Sequence, residues 1–210
     1  MPLSAPPGAI EKMRANQKNI AADGISSIEK SNDKVRNFFE HAKTAEKYIA
    51  SKNDWFDWNK TAKKSDAPNP EVYSKLSEMK LTFTPAILAR ATLLAATPSG
   101  TKINGNWTGV ERFFRLPGEG LVQLTEIDLK ATNGKLFMLK ESMNARINGA
   151  PAVAKIVSSD DGQTIEEIVW MNGNTISMLK YSPDSMPDKQ GLKAKVANHV
   201  SGLSLAQELR

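Results

Sequence analysis

Residues 168–179, IVWMNGNTISML, set an Asn-Gly pair between two apolar runs. Such a pair tolerates the positive φ that a tight type I′ turn demands at both central positions, so the stretch reads as a β-hairpin. With Asn172-Gly173 as the turn, one face of the ribbon collects Ile165, Val169, Met171, Ile176 and Met178, with Glu167 and Lys180 further out. The other collects Ile168, Trp170, Leu179 and Tyr181. Both faces then need cover. The expected cover is the protein's own helices on a curved or central sheet; an apolar ligand cavity and a partner interface are the other two readings.

The same punctuation recurs along the second half of the chain. Asn104-Gly105, Asn133-Gly134, Asn148-Gly149 and Asp161-Gly162 are further turn pairs, and Pro117-Gly118-Glu119-Gly120 supplies another. The runs between them, including WTGVERFFRL, LVQLTEIDLKA, KLFMLKESMNARI, PAVAKIVS, TIEEIVWM and TISMLKY, have strand lengths. They predict an antiparallel meander of about six strands. A turn at Asn133-Gly134 pairs Leu129 with Met138 and Ile127 with Lys140 on an apolar face, and makes Glu126 and Glu141 cross-strand neighbours on the wetter one.

Helical spacing governs the N-terminal part. From Ile28 the apolar positions continue through Val35, Phe38, Phe39, Ala42, Ala45 and Ile49, predicting an amphipathic helix over residues 25–51. A shorter helix over 9–22 precedes it, with Gly24 as the break. NDWFDWNK then gathers Trp55, Phe56 and Trp58, either as anchors onto the core or as an exposed contact for a partner or a sugar. TAKKSDAPNP, residues 61–70, reads as a linker or exposed loop. Asn69-Pro70 opens a helix to about residue 79, and Thr84-Pro85 repeats that signal ahead of AILARATLLAA, read as a deeply buried helix. After the loop SPDSMPDKQG, Leu192, Val196, His199 and Val200 mark a last helix returning across the sheet. The predicted class is α+β: a helical region at 1–60, a linker at 61–70, and an α+β domain with the antiparallel sheet and C-terminal helix at 71–210.

With 210 residues, 40% of them hydrophobic, the chain can bury one sizeable core. The absence of cysteine excludes disulfides, thiolate metal sites and a thiol nucleophile. The net charge of +5 lies wholly in the first half, where residues 1–102 hold 16 Lys/Arg and 11 Asp/Glu. Those lysines are interspersed with acids as on a solvated helix, so nucleic acid is not an expected partner. No window reaches the roughly 18 apolar residues of a membrane span. The expected setting is periplasmic or secreted if an N-terminal signal was removed, and cytoplasmic otherwise.

Catalytic signals are sparse. The two histidines, His41 and His199, lack a second ligand at helical spacing, and Ser27–Lys30 and Ser99–Lys102 match Ser-x-x-Lys only at the level of chance. TPSGTKINGN lacks the P-loop pattern, and Asp160-Asp161-Gly162 is a turn rather than a calcium loop. No catalytic residue, cofactor or metal is expected. Contact with a protein partner, or with an apolar small molecule, is assigned to Trp55, Phe56, Trp58, Trp170 and Tyr181.

GQTIEEIVWMNGNTISML followed by LKAKVANHVSGL resembles the closing hairpin and helix of lipoprotein-carrier-like domains of bacterial extracytoplasmic proteins. The layout is also similar to the cone-shaped folds related to nuclear transport factor 2 and to photosystem extrinsic proteins. It implies a curved sheet wrapping a helix and carries no activity with it. The expected function is non-enzymatic binding or assembly in the bacterial envelope or a secreted system, with carriage or sensing of an apolar, lipid-like ligand behind the sheet as the alternative.

Overall fold

A computed structural model of the chain describes residues 28–47, 85–103, 106–136, 138–184 and 202–209. The elements are β1 (Ile28–Lys30), α1 (Asn32–Lys47), α2 (Pro85–Leu88), β2 (Thr92–Ile103), β3 (Asn106–Leu116), β4 (Gly120–Asp128), α3 (Leu129–Thr132), β5 (Ala145–Ile147), β6 (Ala150–Ser158), β7 (Thr164–Asn172), β8 (Thr175–Pro183) and α4 (Gly202–Gln207), with a 3-10 turn at Lys140–Ser142. Among the described residues the strands form one eight-stranded sheet in the order β1-β6-β7-β8-β4-β3-β2, with β5 also pairing β6. The sheet is mixed rather than a meander of about six strands, because β1 joins β6 in parallel and β8 inserts beside β4.

Three local readings change for identifiable reasons. Ala-Leu composition suggested a helix through AILARATLLAA, yet α2 stops at Leu88 and the chain extends as β2, pairing Leu93 with Phe114 and Ala95 with Phe113. Helix propensity is a weak bias, and burial against a neighbouring strand outweighs it. At Asn133-Gly134 there is no hairpin. The Asp128 carboxylate accepts from the amides of Lys130 and Ala131 and starts the single turn α3, which Asn133 closes in the left-handed region at φ 49°. The Asn-Gly pair is therefore a helix end, and of the predicted strand through residue 147 only Ala145–Ile147 forms. The helix predicted from residue 25 starts at Asn32 instead. Before it, Ile28–Lys30 pairs with Ile156–Ser158, and Ser31 serves both elements: its amide donates to the Ser158 carbonyl, and its hydroxyl accepts from the Lys34 amide.

The opening hairpin is present with its turn displaced by one residue. Asn172 pairs with Thr175, leaving Gly173 and Asn174 in the turn. A one-residue displacement at both ends moves each partner by two positions, which preserves the faces. Asn148 and Gly149 form the tight turn as read, with φ of 48° and 85° between paired Ile147 and Ala150.

Each face of the sheet has its own core. On the α4 face, Leu205, Ala206 and Leu209 from the C-terminal end and Ile87 of α2 pack on Phe114, Leu116, Val122, Leu124, Ile147, Ala152, Ile168, Trp170, Leu179 and Tyr181. On the opposite face, Val35, Phe38 and Ala42, one stripe of α1, pack on Ala95, Phe113, Leu121, Val157 and Ile165. Helices thus cover both faces of the sheet, and adjacent Phe113 and Phe114 serve opposite cores.

Candidate interaction surface

Trp170 and Tyr181 are 3% and 1% exposed in the α4-face core. The Tyr181 hydroxyl donates to the Glu119 carbonyl at 2.9 Å, and burial raises its pKa. Structure brings these two predicted contact residues together with Ile168 and Leu179; Trp55, Phe56, Trp58 and His199 lie outside the described residues, as does the 61–70 linker.

The α4 face also holds charge. Arg112 and Glu126, on neighbouring strands, make an ion pair with both side chains almost wholly buried. Burial pushes the guanidinium down to about 9, which leaves it protonated at neutral pH opposite its carboxylate. Ser177, fully buried, pairs with Glu126 across the ladder. The register therefore sets Glu126 opposite Ser177, where the Asn133-Gly134 hairpin would have set it opposite residue 141. At the other end of this face, the Glu166 carboxylate accepts from the Gly202 amide at 2.7 Å and anchors the start of α4. A side chain at Gly202 would put its Cβ 2.9 Å from that oxygen, so the close approach depends on glycine. Desolvation raises the pKa of Glu166.

On the α1 face the register lays side chains in cross-strand rows. α1 sits over Val157, Ile165 and Leu121 and over Phe113 and Ala95. Along the second row, Lys155, Glu167 and Lys180 are direct neighbours. Lys155 reaches Glu167 at 2.7 Å and Glu29 of β1 at 3.2 Å, Lys180 reaches Glu167 at 3.3 Å, and Lys34 of α1 reaches Glu29 at 2.5 Å. Hydrogen bonds to these lysines hold the Glu29 and Glu167 carboxyls below the usual range against the opposing effect of burial. The carboxylates in turn raise Lys155 against its own desolvation.

The next rows lie outside the core that α1 covers, although His41 of α1 still reaches the β3 end of the nearer one. Val153, Val169 and Met178 lie side by side and continue to Thr125 and Glu111; beyond them Met171, Ile176 and Ile127 form another apolar row. All six apolar side chains are partly exposed, and among the described residues none belongs to either core. They make an apolar floor bordered on one side by the lysine ladder.

At the β3 end of the floor, buried Glu111 is tied on both oxygens. One accepts from the Gln123 amide and, at 3.2 Å, from the Thr125 hydroxyl; the other faces His41 Nε2 at 3.2 Å. The imidazole packs edge-on to Phe113 with centroids 5.6 Å apart and is 54% exposed. Helical spacing from Val35, Phe38 and Ala42 sets His41 beside the apolar stripe rather than in it. It stands at the margin of that sheet-facing stripe, where it covers a carboxylate. The signal for Glu111 was present in VERFFRL, since Glu111 and Phe113 share a face by strand alternation. Nothing local pointed to its partner on α1.

The chain matches no known family, and comparison with curated proteins and with solved structures finds no match. Among the described residues, no helix is long and apolar enough to cross a membrane.

Proposed function

We propose that the protein is a non-enzymatic binding or assembly protein that holds a protein partner on the apolar floor of its α1 face. The observation that supports this is that, among the described residues, the cover of that face is unfinished. α1 buries one end of it, while Val153, Val169, Met178, Met171, Ile176 and Ile127 continue the apolar surface past the helix, partly exposed and outside both cores. Contiguous apolar surface rimmed by polar groups is characteristic of contact sites. The setting proposed with it, a bacterial envelope or a secreted system, rests on layout alone.

Site-specific photo-crosslinking in the source cell tests the reading. A benzophenone side chain at position 178 should yield a discrete larger adduct, and the same group at exposed Lys43 of α1 should not. Equal labelling at both positions overturns the proposal. So does an adduct heavier only by an apolar small molecule, which would assign the floor to a carried ligand.

A further inference from the structure

Resting on that reading, we infer that the partner enters as an amphipathic helix with an acidic flank, lying beside α1 across the sheet. The floor has the dimensions for it. Its two cross-strand rows lie roughly 7 Å apart along the strands, and with the width of their side chains they make a strip close to the ~10–12 Å diameter of a helix with its side chains. α1 already packs on this same face through a stripe at helical spacing, Val35, Phe38 and Ala42, so a second helix would repeat an arrangement the sheet supports. β-Branched Val153, Val169, Ile176 and Ile127 give the floor a firm relief. Met171 and Met178, unbranched and polarizable, can adapt to an incoming side chain.

Charge selects the sign of the partner. In the ladder beside the floor, Glu167 is the more enclosed group at 13% exposure, whereas the Lys155 and Lys180 side chains stand at 33% and 36%. Within the ladder, three ammonium groups, Lys34, Lys155 and Lys180, share two carboxylates, Glu29 and Glu167, so the ladder side of the floor retains one positive charge, while the buried Glu111 carboxylate stands at the β3 end. Carboxylates along one flank of a docked helix would meet that positive charge. A second copy presenting the same face would bring lysine against lysine, and a basic helix would meet the same repulsion. The chain's net charge of +5 favours encounter with an acidic segment as well.

The test titrates the full chain with two synthetic helical peptides of about 18 residues, each with Leu at i, i+3, i+4 and i+7, one flanked by Glu and the other by Lys. Fluorescence anisotropy should show the Glu-flanked peptide binding ~10-fold more tightly or better. Lys180→Glu should remove or invert that preference, and Lys180→Gln, which adds no like charge beside Glu167, should reduce it. Val169→Asp with Met178→Asp should weaken both peptides. Melting curves establish that each variant folds. Equal affinity for the two peptides, or a preference untouched by either Lys180 variant, overturns the acidic helix while leaving a crosslinked partner at position 178 standing. Displacement of the peptide by neutral phosphatidylcholine vesicles overturns it in favour of a lipid surface.

Discussion

The two faces of this sheet solve the problem of cover differently. On the α4 face, apolar side chains from α2, the C-terminal end and most strands close over one another around the buried Arg112–Glu126 pair and the Glu166 carboxylate at the start of α4. On the α1 face, among the described residues, a single helix covers part of the surface, charges form a partly exposed ladder, and apolar residues continue past it. One face thus spends its apolar area on internal packing, and the other keeps some in reach of solvent. The hairpin β7–β8 contributes to both, which is why its sequence is apolar on alternating sides.

The contrast predicts unequal responses to substitution. Trp170→Ala on the filled face should cost about 3–5 kcal/mol, the usual loss for a large buried aromatic. Met178→Ala on the open floor should cost well under half of that, since its side chain keeps solvent contact. Chemical denaturation of both variants checks the difference, and similar midpoints would break the distinction between the faces. Arg112→Met should rank near Trp170→Ala, at about 3–5 kcal/mol, because it strands the buried Glu126 carboxylate. Adding Glu126→Leu should recover most of the loss; a double variant as unstable as the single one would show that the pair contributes shape rather than charge.

Acid should act on the faces in opposite directions. The folded-state pKa of Glu166 is raised, so its contribution to stability is complete below the ordinary value of 4.5 and is lost as pH rises through the folded value. Glu29 and Glu167 are lowered, so theirs is present above 4.5 and is lost as pH falls through their folded values. Relative to Glu166→Gln, the wild-type melting temperature should therefore decline as pH climbs from 4.5 toward neutrality. Relative to Glu167→Gln, it should decline as pH drops below 4.5. Parallel profiles for wild type and either variant would remove that carboxyl from the account. The smallest effect is expected at the surface: Lys34→Ala breaks an ion pair between groups 46% and 37% exposed and should change stability by about 0.5 kcal/mol or less, less still in high salt.

How much of this was legible follows from which interactions are local. The faces of the β7–β8 hairpin could be read because alternation has a period of two and survives a turn displaced by one residue. The same Asn-Gly signal misled at Asn133, because Asp128, five residues upstream, offered two amides a better partner than a ladder did. β1 is only three residues long and is paired with a strand far along the chain, so no periodicity could reveal it. Val169, Met171, Ile176 and Met178 could be grouped on one face from sequence. That α1 would stop short of them depended on where β1 docks, and that contact is non-local.

That docking also bears on how the protein emerges during synthesis. Ser31 joins β1 directly to α1, and Asn32 exchanges hydrogen bonds with Asp160, 128 residues away. β1 therefore has no seat until β6 and the turn after it have been made, whereas α1 also packs on Ala95, Phe113 and Leu121 of the earlier strands β2, β3 and β4. At about 5–20 residues per second, β1 has a wait of roughly 6 to 25 seconds. Through the later part of it, the apolar stripe of α1 has Ala95, Phe113 and Leu121 to pack on and lacks only Val157 and Ile165. The strand that begins this face, β1, thus waits for a partner made well over a hundred residues later, while the helix that follows it can dock sooner.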